Sequence, residues 1–132
     1  MNRKKILIVD DDKDLLRGLS FRLRAYGYDT VFATDGYAAI NVAQKENPDL
    51  IILDIGLPAG DGFTVMERLG NHQSLALIPI IVLSGRDSQI NKERALKAGV
   101  VAFFQKPADN DRLLAAIQKQ LGNSDKQIEE HS

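Results

Sequence analysis

The chain of 132 residues contains no cysteine. Disulfides and thiolate metal sites are therefore excluded, and this usage suits a reducing cytoplasm. Histidine is nearly as scarce. His72 and His131 fall in a loop and in a polar terminal stretch, and both are expected to be solvated rather than ligating. An excess of charge is also lacking: 17 basic residues against 18 acidic ones leave a net charge of −1. That balance gives no electrostatic basis for direct nucleic-acid binding or for adhesion to a membrane surface. Long apolar runs are missing. The opening MNRKKILIVDDD has a basic flank but only four apolar residues before the acids. A secretion signal or a spanning helix needs more, so a cytoplasmic protein is expected. No internal repeat or low-complexity segment stands out.

What remains is the make-up of an ordinary globular domain, 44% hydrophobic and 27% charged, long enough for one core and too short for two. Strand and helix patterns alternate five times. Strands are predicted over 5–9, 28–33, 50–53, 78–83 and 102–104, from short apolar runs. Helices are predicted over 14–26, 36–45, 61–69, 88–98 and 109–121. The first places Leu16, Leu19, Leu23 and Tyr26 on one face, with Gly27 as its stop. In the second, Ala39, Ile40 and Ala43 share a face before Asn47-Pro48 breaks it. Phe63, Met66 and Leu69 point inward from the third. The fourth is weakly amphipathic, with Ile90, Ala95 and Leu96 as its apolar members and Gly99 ending it. Asp109 or Asn110 caps the last, whose core positions are Leu113, Leu114, Ile117 and Leu121. Residues 1–121 thus form one domain, and 122–132 read as a polar tail or the stub of a linker. Repeated βα units imply a parallel sheet with right-handed crossovers and helices on both faces. The strand at 28–33 is the least apolar and suits an edge. The expected fold is α/β, flavodoxin-like and doubly wound, with strand order 2-1-3-4-5.

Four of the apolar runs end in residues able to work on phosphate. The first ends in Asp10-Asp11-Asp12, the third in Asp54, the fourth in Ser84, and the fifth, after Gln105, in Lys106-Pro107. Ligands of open α/β sheets sit outside the carboxyl ends of the strands, so these groups converge at one edge. Two like charges about 4 Å apart repel by about 4 kcal/mol at an effective dielectric of about 20. A bound cation relieves that repulsion. An all-oxygen ligand set without histidine or cysteine suits Mg²⁺ or Mn²⁺. Asp12 and Asp14 are read as helix starters instead, since acids favour helix N-termini. Lys106 precedes a proline, where a cis bond is affordable and would aim its ammonium over the site. Gly85 leaves room for a ligand beside Ser84. Strand alternation sends Phe103 and Phe104 to opposite faces. Arg17, Arg22 and Arg24 belong to an outer helical face and are expected to be solvated.

Taken in order, ILIVDDD (6–12), LIILDIGLPAGDGF (50–63), IIVLSG (80–85) and FFQKP (103–107) resemble a bacterial two-component response-regulator receiver domain over about residues 4–121. The resemblance implies that Asp54 accepts a phosphoryl group from a phosphohistidine of a sensor histidine kinase or histidine phosphotransfer protein. It implies Mg²⁺ on Asp11, Asp54 and the carbonyl of Gly56, with Asp10 acting largely through water. Ser84 and Lys106 would hold the phosphoryl group, and Phe103 would report the switch. Pro58 and Gly62 match turn positions of the loop. The resemblance further implies a surface of helix 4, strand 5 and helix 5 that changes on phosphorylation, for a protein effector, a lost output domain or a phosphorylation-dependent dimer. Departures are serine for the commoner threonine at 84, glycine for alanine at 85 and phenylalanine for tyrosine at 103. Val100-Val101-Ala102 stands where winged-helix regulators often carry acids, which tells against their charged dimer face. Gly56 and Arg86 flank the line of water attack, from which slow self-dephosphorylation is expected, and no enzymatic activity beyond the protein's own modification.

Two other readings fit less well. A haloacid-dehalogenase-type phosphatase needs a second acid two residues after its aspartyl nucleophile, where Gly56 stands. A flavodoxin-like flavin binder needs a phosphate loop rich in Ser, Thr and Gly after the first strand, where three aspartates would repel phosphate.

Overall fold

The structure, a computed structural model, describes residues 3–57, 61–85 and 89–122. Pro58, Arg86, Ser88, His131 and the expected tail beyond Gly122 lie outside the described residues. Five strands and five helices alternate: β1 (Lys5–Val9), α1 (Lys13–Ala25), β2 (Asp29–Ala33), α2 (Gly36–Glu46), β3 (Leu50–Leu53), α3 (Gly62–Asn71), β4 (Ile80–Ser84), α4 (Gln89–Lys97), β5 (Ala102–Gln105) and α5 (Asn110–Leu121). All strand pairs are parallel, in the order β2-β1-β3-β4-β5, as the alternation of patterns requires.

β1 and β3 are apolar along their whole length because both faces are covered. On one face, Leu7, Val9, Ile51 and Leu53 pack with Ala39 and Ala43 of α2 and Val65, Met66 and Leu69 of α3. On the other, Ile6, Ile8, Leu50 and Ile52 pack with Leu16, Leu19 and Leu23 of α1 and Leu113 and Ile117 of α5. Phe103 joins the first cluster and Phe104 the second, as strand alternation dictates.

Carboxylates set the helix starts. Asp12, Asp35, Asp61 and Asp109 are the N-caps of α1, α2, α3 and α5, each accepting from backbone N–H groups of the first turn. Asp109, not Asn110, is therefore the cap of α5. Gly27 (φ 93°) closes α1. Its N–H donates to Arg24 O, and that of Tyr28 to Leu23 O, the paired bonds of a left-handed helix stop.

Several local expectations are corrected. Tyr26 is the C-cap of α1 and is exposed; the helix has already ended, so its periodicity no longer directs the side chain. Tyr28 precedes β2 rather than joining it, and is fully buried. Ile90 and Leu96 are exposed, so Ala95 alone is buried on α4. His72 is half-buried and caps α3, with its Nδ1 3.2 Å from Gln44 Nε2. Val65, Leu75 and Val100 are core residues that the periodicity reading passed over. No helix among the described residues is long and apolar enough to cross a membrane.

Candidate functional site

Register aligns the strand ends. Val9 pairs with Leu53, Leu53 with Val82, and Val82 with Phe103. Asp10 and Asp54 each lie one residue beyond a paired position of adjacent central strands. Ser84 ends β4, and Lys106 follows β5. The N–H of Asp54 donates to Val9 O at 3.0 Å and that of Lys106 to Ser84 O at 2.8 Å, so neighbouring strands hold both backbones in place. The Lys106–Pro107 bond is cis.

Asp10, Asp54 and Ser84 are buried, and Asp11 is exposed. Lys106 Nζ lies 2.7 Å from Asp10 Oδ2 and 3.3 Å from Asp54 Oδ2. The remaining carboxylate oxygens meet the backbone: Asp10 Oδ1 accepts from Asp12 N–H at 2.9 Å, and Asp54 Oδ1 from Gly56 N–H at 2.9 Å. Burial pushes the Asp10 carboxyl above its ordinary range, and the Asp54 charge adds to the rise. The Lys106 ammonium and the Asp12 N–H only partly offset this. For Lys106, burial pulls the ammonium down, but the two carboxylates outweigh it and hold its pKa above the usual lysine value.

One ligand atom from each of Asp10, Asp11 and Asp54 lies within 4.8 Å of the others. Asp11 makes no hydrogen bond or ion pair among the described residues. Two carboxylates tied to the fold and one without such ties form an oxygen set that could hold a small divalent ion, which typically takes few carboxylates and keeps waters. Gly62 seats the loop after Asp54. Its N–H donates to Ile55 O at 3.1 Å. A Cβ there would meet Ile55 Cα at 2.5 Å and Asp54 O at 2.9 Å, so only glycine lets α3 start this close to β3. The resemblance pointed to Gly62, but the backbone approach behind it was not legible in the sequence. The direct contact between Lys106 and Asp10 likewise has no signal in the sequence.

Beside the site, a groove of about 540 Å³ runs between α1 and α5, its lining including Leu15, Leu19, Arg22, Lys106, Pro107 and Leu113. On the other side, Phe103 is partly buried below α4. Arg94 of α4 stacks over Phe63 of α3, 3.8 Å from the ring centroid.

Comparison with known proteins agrees with this geometry. Residues 6–118 match the response regulator receiver domain. The alkaline phosphatase synthesis transcriptional regulatory protein PhoP of Bacillus subtilis (strain 168) is 35% identical over 122 residues, which cover 92% of this chain and 50% of that protein. The chain thus spans about half the length of this relative. Among solved structures, the BeF3-activated N-terminal receiver domain of Klebsiella pneumoniae RstA superposes with a TM-score of 0.82 at 32% identity, covering 91% of this chain and all of that one. The Vibrio cholerae chemotaxis protein CheY4 gives 0.83 at 28%, covering 90% of this chain and 99% of that one. With the strand order, the aligned strand ends and these matches in hand, the chain belongs to the response regulator receiver domain family.

Proposed function

We propose that the protein is a phospho-accepting switch in which Asp54 takes a phosphoryl group from a phosphohistidine of a sensor histidine kinase or a histidine phosphotransfer protein. The observation that carries this reading is the buried Asp54 carboxylate, flanked by Asp10 and Asp11 and approached by the Lys106 ammonium at 3.3 Å. In transfer, an Asp54 carboxylate oxygen forms the new P–O bond as the N–P bond of the donor breaks. The electron pair leaves with the imidazole, which then takes a proton from water. Lys106 counters charge on the phosphoryl oxygens, and the Gly56 N–H keeps the carboxylate oriented.

Asp10, Asp11, Asp54 and the carbonyl of Gly56 would hold Mg²⁺, or Mn²⁺, which supplies charge neutralisation at the transferring group. Asp10 also anchors Lys106 at 2.7 Å. The apolar groove between α1 and α5 adjoins Lys106 and offers the donor protein a seat.

Ser84 and Phe103 make the switch. A phosphoryl group draws the Ser84 hydroxyl toward Asp54, and Phe103 follows into the space behind it. This biases pre-existing arrangements of the surface of α4, β5 and α5. Its weak attachment suits that role, since Ala95 is the one buried residue of α4. The reader of that surface is a protein effector, an output domain outside this sequence or a second receiver. The chemistry stays confined to the protein's own modification.

Incubation with acetyl phosphate and Mg²⁺ tests the reading. One phosphoryl mass should appear on the wild type and none on Asp54→Asn. Modification that persists on the variant, or proceeds equally in EDTA, would refute the assignment.

A further inference from the structure

Among the described residues, β2 is an edge strand that pairs with β1 alone. Asp29 N–H donates to Lys4 O at 2.9 Å, and Ala33 O accepts from Asp10 N–H at 3.0 Å. In a parallel ladder alternate residues serve the same neighbour, so 29, 31 and 33 face β1. The N–H and C=O groups of Thr30 and Phe32 therefore point to the open edge. Native edges are usually blunted by lysine, proline or a covering element. This one instead presents aromatics. Phe32 is 41% exposed, and Phe21, on the neighbouring face of α1, is 72% exposed. Between them runs a groove of about 610 Å³, also lined by Arg17 and Arg24 of α1.

The charges along this groove are unbalanced. Lys5 is engaged by Glu46 at 3.0 Å, and the Asp29 carboxylate by Arg3 at 3.3 Å. The guanidinium groups of Arg17 and Arg24 have no acidic partner among the described residues. The Ser20 and Thr30 hydroxyls meet at 2.6 Å and tie α1 to the edge strand, so the two walls are joined. This groove lies on the side of α1 away from α5 and is separate from the phosphorylation site.

We propose that the α1–β2 groove is a docking site for an extended acidic segment of a partner protein, which adds a strand to β2, sets an aliphatic side chain between Phe21 and Phe32, and pairs its carboxylates with Arg17 and Arg24. Strand addition uses main-chain hydrogen bonds for affinity and alternate side chains for specificity, and both are on offer here. A second copy of the chain fits poorly, because arginines would then face arginines. Single-stranded nucleic acid also stacks on aromatics beside cations, but it leaves the open N–H and C=O groups of the edge unpaired.

A short labelled peptide alternating glutamate with valine or isoleucine is the probe, with its lysine-for-glutamate counterpart as control. Fluorescence anisotropy should show binding of the acidic peptide, weakening with salt, and none of the basic one. Arg17→Glu/Arg24→Glu and Phe21→Ala should each lower affinity by about tenfold or more, while phosphorylation of Asp54 by acetyl phosphate stays unchanged. Amides of Thr30 and Phe32 should gain hydrogen-exchange protection in the complex. The proposal is overturned if both peptides bind alike, if those amides gain nothing, or if the double variant binds as the wild type does. Tighter binding of oligothymidine than of the acidic peptide would equally overturn it. So would a gain in peptide affinity on truncation after Gly122, which would make residues 123–132 of this chain the occupant.

Discussion

The Lys106 ammonium lies 2.7 Å from Asp10 Oδ2, closer than to Asp54 at 3.3 Å. The cation that is to meet a phosphoryl group on Asp54 is therefore shared beforehand with a second buried carboxylate. Asp10 anchors Lys106, and Lys106 makes a buried Asp10 tolerable.

Lys106→Met leaves two buried carboxylates without their ammonium. Breaking a buried pair costs about 3–5 kcal/mol, and partial exposure of the lysine reduces this to about 1–3 kcal/mol here. Urea denaturation in EDTA should show that loss. Mg²⁺ should then stabilise the variant more than the wild type, because it relieves repulsion that Lys106 no longer covers. Equal increments in both proteins would mean that ion and ammonium do not compete for the same charge.

Asp11 is exposed and makes no ion pair among the described residues, so Asp11→Asn should leave metal-free stability unchanged or slightly higher. The gain in melting temperature on adding millimolar Mg²⁺ follows ligand linkage and should largely vanish in this variant. A wild type insensitive to Mg²⁺ in the same thermal scan would rule out the metal assignment.

Gly62→Ala places a methyl 2.5 Å from Ile55 Cα. Backbone has to yield, at about 1–3 kcal/mol, and the strand end that carries Asp54 moves with it. Both stability and the rate of acetyl phosphate labelling should fall. Gly18→Ala is the contrast: among the described residues nothing beyond its own helix backbone lies within 4 Å of its Cβ, and alanine in mid-helix should add about 0.5–1 kcal/mol. Denaturation midpoints and labelling time courses of the two variants check this.

Stability should fall at alkaline pH through two groups. Burial raises the Tyr28 phenol above its ordinary value of 10.0. For Lys106, burial lowers the ammonium, but the carboxylates carry it above 10.5. A group whose folded pKa is raised contributes stability fully below its unfolded pKa and loses it as pH rises through the folded one. Stability should thus drop from about pH 10 upward. Tyr28→Phe, which forgoes a 3.3 Å bond to Gly122 O, should flatten part of that slope, and Lys106→Met another part. An unfolding profile over pH 8–12 with the same slope in wild type and both variants would contradict the assignment.

Beryllofluoride, added with Mg²⁺ as a phosphoryl mimic, should move NMR signals of α4 and β5, Phe103 among them. Ser84→Ala should retain the mimic but shrink those shifts. Changes confined to α1 and α2 would place the switch elsewhere.

Much of the architecture lies in local chemistry. The wholly apolar runs of β1 and β3 require cover on both faces, and the alternation of strands with helices then leaves a parallel sheet as the economical solution. The aspartates ahead of α1, α3 and α5 mark helix starts because their carboxylates satisfy N–H groups a few residues away. Asp10, Asp54, Ser84 and Lys106 could be grouped from the sequence because each ends an apolar run, and parallel strands end on one edge. Where these side chains point is decided by residues far apart in the chain. The 2.7 Å contact of Lys106 with Asp10 spans the sheet from β1 to β5, and no periodicity encodes a distance across strands. Tyr26 follows the apolar spacing of α1 yet faces solvent, because the helix stops beneath it. Leu75 follows α3 in a stretch with no pattern, and is buried because it joins the cluster of Val65, Met66 and Leu69. Phe21 and Phe32 read as ordinary apolar residues on their own elements. The sequence marks β2 as an edge, but only the packing of α1 against it brings Phe21 and Phe32 to one groove.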